Sequence, residues 1–98
     1  MFRGALRHEA VTVAGTSIGM TVTAAQGVKP EAAIITVETA QIRFTVDGTT
    51  PTASVGHAAD PGDVIELAGW DQVSNFRAIR TGGTSATIMC TQGNEHVA

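Results

Sequence analysis

Tyrosine is absent from this chain of 98 residues, and the aromatic complement is Phe2, Phe44, Trp70 and Phe76 alone. A thin core must then be built mainly from Val, Ile, Ala, Met and Leu, and four aromatics make a poor exposed platform for sugar. Cysteine is nearly absent too. Cys90 stands alone, so no intrachain disulfide can staple the fold, which is compatible with a reducing compartment. Cations are scarce: six Lys and Arg stand against nine Asp and Glu, for a net charge of −3. Five of the six are arginines scattered at positions 3, 7, 43, 77 and 80, with none of the clustering that a nucleic-acid-binding stripe requires. No run approaches the roughly 18 apolar residues of a membrane span. The opening MFRGALRHEAVTV also lacks the long apolar core of a signal peptide. Neither nucleic acid nor membrane is expected as a partner.

Helical periodicity is missing as well. No segment sustains an apolar repeat of 3.6 residues between caps, and Val28–Thr36, rich in alanine, is better read as strand because Ile-Ile-Thr-Val follows. What is present is alternation. Seven candidate strands run over Arg7–Val13, Ile18–Ala24, Ala32–Glu38, Gln41–Val46, Val64–Ala68, Asn75–Arg80 and Ser85–Thr91. Gly19 inside the second suggests a bulge or a close backbone approach. Pro30 marks the loop before the third. Thr39-Ala40 suggests either a hairpin or a strand that bends between sheets, and Thr81-Gly82-Gly83-Thr84 reads as a hairpin turn. Seven short strands punctuated by turns predict a single all-β domain over residues 1–98, an immunoglobulin-like β-sandwich, with a jelly roll or small barrel as alternatives. Residues 1–6 read as an N-terminal lead and residues 92–98 as a polar tail.

Between the fourth and fifth strands lies a long excursion, Asp47–Asp63, that exceeds ordinary loop lengths. Such a segment either has a function or hides short structure of its own. Chemistry is hard to find in it. His8, His57 and His96 show no paired spacing with each other or with Cys90, so no zinc site is indicated. There is no Gly-x-Ser-x-Gly elbow. Asp60, Asp63, Glu66 and Asp71 are close in sequence, but the first two flank Pro61-Gly62 and suit turn formation better than catalysis. Their pattern also lacks the EF-hand order for calcium. Gly82-Gly83 is not followed by a helix, so it is no phosphate loop. No enzyme activity, metal or cofactor is expected.

Candidate partner contacts can still be named. Phe2 and Arg3 form a possible anchor pair in the lead, since aromatic and Arg residues are enriched at interface cores. Thr52 and His57 lie in the excursion's Thr-Pro-Thr-Ala-Ser-Val-Gly-His portion. Trp70 reads either as a plug closing one end of the core or as an exposed anchor for a sugar or protein. Arg77 and Arg80, with Arg43, Glu38 and Glu66, read either as cross-strand ion pairs or as a charged contact face. Cys90 alternates with Ile88 and Ala86 and reads as a buried thiol.

Two resemblances attach to these residues. The run Ile42-Arg43-Phe44-Thr45-Val46-Asp47-Gly48-Thr49-Thr50-Pro51-Thr52-Ala53-Ser54 is similar to the repeat of chitobiase/β-hexosaminidase C-terminal-type modules. Those are immunoglobulin-like sandwiches appended to carbohydrate-active and surface proteins. Over residues 42–89, the ordered motifs IRFTVDGTTPTASVGH, GDVIEL and SNFRAIRTGGTSATI resemble small structural proteins of tailed bacteriophages. That resemblance implies a virion component made in the host cytoplasm, a capsid decoration (cement) protein or a head–tail or tail protein. Its partners would be the major capsid protein and neighbouring copies of itself, as a homo-oligomer on the particle. It carries over no catalytic residue. A carbohydrate-binding or adhesion module is the alternative.

Overall fold

The computed structural model describes residues 4–20 and 30–94. Among these residues, seven strands and one short helix follow in the order β1 (Gly4–Val13), β2 (Ala32–Glu38), β3 (Ile42–Thr45), β4 (His57–Ala59), β5 (Val64–Ala68), α1 (Trp70–Asn75), β6 (Arg77–Arg80) and β7 (Ala86–Asn94). They form two antiparallel sheets, one of four strands in the order β1-β7-β2-β5 and one of three in the order β4-β3-β6. The chain is therefore all-β and sandwich-like, as the alternating pattern predicts.

Alternation explains the core directly. Side chains on a strand point to opposite faces in turn, so apolar residues at every second position make one buried face. The larger sheet contributes Val11 and Val13, Ala33, Ile35 and Val37, Ile65 and Leu67, and Ala86, Ile88 and Cys90. Opposite them lie Ile42, Ala59 and Ala78 from the smaller sheet, Phe76 at its entry, and Val73 from the helix. β2 and β5 occupy the spans expected for them.

Four expectations need correction. First, β1 begins at Gly4, so part of the supposed lead is strand, and its pairing with β7 shifts register between Ala5 and Arg7. Second, β7 runs on to Asn94, and Gln92, assigned to a polar tail, is fully buried. A polar residue continues the inward series of Ala86, Ile88 and Cys90, which hydropathy alone conceals. Third, Gly82-Gly83 does not close a hairpin. β6 pairs with β3, whereas β7 pairs with β1 and β2, so the glycines carry the chain from one sheet to the other. Alternation on both sides of a turn looks the same in either case. Fourth, the sixth expected strand, Asn75–Arg80, starts later: β6 begins at Arg77, because Trp70–Asn75 is a helix of 6 residues. It buries Val73, and the Gln72 side chain accepts the Ala68 N–H at 2.9 Å, reaching back over the helix start.

Of the expected second strand, Ile18–Met20 are described and the rest lies outside the described residues. Ile18 exchanges backbone hydrogen bonds with Ala78 at 2.9 and 2.8 Å, which extends the smaller sheet beside β6. Gly19 is a close approach: a Cβ there would lie 2.8 Å from the Phe76 carbonyl oxygen.

The β2–β3 link crosses between sheets, the second of the two readings of Thr39-Ala40. Ala40 N–H bonds to the Glu38 carbonyl at 3.0 Å, and Thr39 takes a φ of 80°. Gln41 then ties two crossings together. Its side-chain amide donates to Asp60 Oδ1 at 2.8 Å, and its Oε1 accepts the Thr81 hydroxyl at 2.9 Å.

Candidate functional site

The excursion after β3 is ordered from end to end. Asp47 opens it with a turn in which its Oδ1 accepts the Thr49 N–H at 3.0 Å. That backbone hydrogen bond, the largest of several causes, holds the Asp47 carboxyl below its usual range. Gly48 follows with a φ of 88°, a conformation that glycine takes at no steric cost. The Thr45 hydroxyl donates to the Thr49 carbonyl, and Pro51 is buried.

The tip comes next. Thr52 and Val55 exchange backbone hydrogen bonds at 3.0 and 3.2 Å, and Thr52 Oγ1 accepts the Ser54 N–H at 3.2 Å. From β3 beneath, Arg43 Nε donates to the Ala53 carbonyl at 3.0 Å and Nη1 to the Gly56 carbonyl at 2.9 Å. Gly56 lies directly on β3: a Cβ there would come 3.0 Å from the Phe44 carbonyl oxygen, and its φ is 126°. The chain then pairs as β4 along β3. At Asp60–Asp63 it turns once more, with the Asp60 N–H on Asp63 Oδ2 at 2.8 Å and the Asp63 N–H on the Asp60 carbonyl at 2.9 Å. Gly62 N–H bonds to the Val37 carbonyl at 2.8 Å, fastening this turn to the other sheet.

The result is a projection whose base is fixed and whose tip, Thr52–Val55, is exposed, with Val55 at 48%. Beside it is an open cleft of about 370 Å³ lined by Thr45, Val46, Asp47, Thr49, Gly56 and His57. The His57 ring is exposed and lies 5.6 Å from Phe44, which in turn lies 5.8 Å from the buried Phe76.

The chain finds no match among protein-family models, curated proteins or solved structures. The candidate site therefore stands on this chain's own geometry.

The structure brings some expected contacts together and separates others. Thr52 and His57 are both exposed and share the excursion. Arg77 and Arg80 lie on β6, across β3 from β4. Both are half-buried; the Arg77 side chain holds the segment after β1 and the Arg80 side chain the link into β7. Arg77 Nη2 donates to the Ser17 carbonyl at 3.0 Å and to Ser17 Oγ at 2.9 Å, while Arg80 Nη1 reaches Ser85 Oγ at 3.3 Å. The cross-strand ion-pair reading fails for a simple reason. Glu38 and Glu66 are on the four-stranded sheet, and Arg43, Arg77 and Arg80 are on the three-stranded one. Trp70 is half-buried at the start of α1, outside the core cluster, and Val73 is the residue that α1 buries. Phe2, Arg3 and His96 lie outside the described residues.

Among the described residues no group of three or more His, Cys, Asp or Glu is placed to hold a metal ion. Asp60 and Asp63 do form the turn that their Pro-Gly spacing suggested. Sequence reasoning missed the use of Arg43 as a clamp. One signal was available: a lone arginine on a strand that leads into a Thr- and Gly-rich excursion rich in carbonyls.

Proposed function

We propose that this protein is a non-enzymatic structural component of a tailed-phage particle, a decoration protein with an immunoglobulin-like sandwich that bridges neighbouring capsid subunits. The sequence likeness over residues 42–89 supplies the class. The observation that carries the reading further is the clamped projection. Its first motif, IRFTVDGTTPTASVGH, supplies both the clamp, Arg43, and the exposed tip. A tip held in one conformation loses little further freedom when it docks, so a small contact yields more net affinity. Many symmetric copies on one particle then make weak contacts count.

The test has two stages. Mass spectrometry of purified particles should find the chain in a copy number comparable to that of the major capsid protein. A few copies per particle would move it to the head–tail or tail apparatus, and absence would overturn the reading. Added protein should then co-sediment with undecorated particles, and Val55→Asp should weaken that binding tenfold or more while the melting curve stays unchanged. Binding that ignores Val55→Asp would remove the tip from the contact. The cleft beside His57 favours one other reading, sugar binding, which a glycan array would expose as signal lost in His57→Ala.

A further inference from the structure

The base of the projection carries an inference that does not rest on the virion reading. The chain holds four aspartates, Asp47, Asp60, Asp63 and Asp71, and of these Asp47 alone precedes a glycine. Asp47, Gly48 and Thr49 are all exposed. Asp47 Oδ1 accepts the Thr49 N–H at 3.0 Å. A side chain that reaches the N–H two residues on must pass beside the N–H between, so the carboxyl carbon Cγ is turned towards the Gly48 nitrogen. That nitrogen is unencumbered. Its N–H has no acceptor among the described residues, and glycine brings no side chain to crowd an approach.

The other three aspartates lack this arrangement. Asp60 precedes Pro61, which has no N–H. Asp63 precedes Val64, the β-branched first residue of β5, and its Oδ2 is engaged by the Asp60 N–H at 2.8 Å. Asp71 and Gln72 lie inside α1, where the helical backbone points the next N–H along the axis.

We infer that Asp47-Gly48 is a self-modification site, at which the native chain converts Asp47 to isoaspartate through a cyclic imide. The Gly48 nitrogen attacks Asp47 Cγ. The N–Cγ bond forms, the bond from Cγ to its hydroxyl breaks, and that hydroxyl leaves with the Gly48 proton as water. A five-membered ring closes between groups that the turn already holds together. Water then adds to one of the two ring carbonyls. Opening at Cγ returns aspartate. Opening at the main-chain carbonyl breaks its bond to the Gly48 nitrogen and leaves the chain running through Cγ. The water lost in the first step is regained in the second, and no oxidant or reductant takes part. The Thr49 backbone bond that holds the carboxyl below its usual range also keeps it ionised at neutral pH. An ionised carboxylate has no hydroxyl to lose, so the conversion is slow. Its product lengthens the main chain by one carbon at the foot of the projection and displaces the acceptor of the Thr49 N–H.

Storing the native protein in mildly acidic buffer and sampling it over weeks tests this. Trypsin cuts after Arg43 and Arg77, so one peptide, Phe44–Arg77, carries all four aspartates. Electron-transfer fragmentation distinguishes isoaspartate from aspartate at each of them, at unchanged mass. Isoaspartate should accumulate at Asp47 at least tenfold above each of the other three. Equal accumulation at all four, or none at Asp47, overturns the proposal. Asp47→Asn gives a second readout. Asparagine keeps the turn, because its Oδ1 also accepts the Thr49 N–H. It closes the same ring with loss of ammonia and needs no prior protonation. The folded Asp47→Asn chain should therefore lose its amide at least tenfold faster than Asp47 isomerises. A folded variant that keeps its amide would show that the turn forbids ring closure, and overturns the proposal equally.

Discussion

Replacing Arg43 by Met tests how the excursion is held. Methionine keeps an unbranched stem against β3 and removes the guanidinium, and with it the bonds to the Ala53 and Gly56 carbonyls. Hydrogen bonds from a charged donor contribute about 1.5–3 kcal/mol each when well shielded. Here the Ala53 bond is exposed and the Gly56 bond half-buried, and water can reach both carbonyls once the donor is gone. A total near 2 kcal/mol follows, with most of it from Gly56. That figure is about a 25-fold rise in the local opening constant. The two amides paired across the tip, Thr52 N–H and Val55 N–H, report it directly by hydrogen exchange. Their protection should fall about that much, while core amides such as those of Ile35 and Ile88 lose only what the global stability loses. Arg43→Lys should recover part of the effect, because an ammonium satisfies one carbonyl but cannot fork to two. Unchanged protection at Thr52 and Val55 in Arg43→Met would refute the clamp. The projection would then be held by β4 pairing and Pro51 alone.

Three further outcomes follow from the packing. Gly19→Ala drives a methyl to 2.8 Å from the Phe76 carbonyl, so backbone must move, and the urea midpoint should fall by the equivalent of about 1–3 kcal/mol. Gly82→Ala, where a Cβ meets open space, should stay within about 0.5 kcal/mol of the parent. Val73→Ala removes two methyl groups from a fully buried site and should cost about 2–3 kcal/mol in thermal or urea unfolding, despite its place in a six-residue helix. For Cys90, burial, with a smaller contribution from Glu9, pushes the thiol up to about 12 from 9.0. The unfolded chain therefore releases this proton first. Stability is unaffected below pH 9.0 and declines as pH rises from there towards about 12. With no Tyr and a single Lys in the chain, few other side chains obscure that limb. Cys90→Ala should flatten it in pH-dependent urea titrations, and a limb unchanged by the substitution would count against the assignment.

Where alternation met burial on one side, the sequence was easy to read. Ala32–Glu38 and Val64–Ala68 show this, because each presents one apolar face to one core. What alternation does not encode is which sheet a strand joins. Gly82-Gly83 and Thr39-Ala40 are both compatible with a hairpin, and both turn out to be crossings between sheets. Gln92 and α1 were missed for a related reason. A polar side chain continued an inward series, and a single buried Val73 gives no period to detect. The length of Asp47–Asp63 signalled hidden structure, and β4 is that structure. The clamp left only a faint trace, a single arginine on the strand before the excursion, because an arginine that bonds to backbone carbonyls needs no partner type in the sequence. The turn role of Asp60 and Asp63 was legible, because Pro-Gly fixes the geometry that those carboxylates complete.

The pairing of β7 sets a timetable for the chain's synthesis. β7 lies between β1 and β2, and residues as far apart as Gly4 and Asn94 are partners. Until residues 86–94 have left the ribosome, β1 lacks its strand partner and β2 has only β5, so the four-stranded sheet cannot close. Closing so long a loop is entropically costly before its contacts form, which places the folding of such a sheet in the slow, millisecond-to-second range. A ribosome stalled ahead of residue 86 would therefore present unpaired edges on β1 and on the β2-β5 pair, and chaperone binding to nascent chains should drop sharply once the last strand emerges.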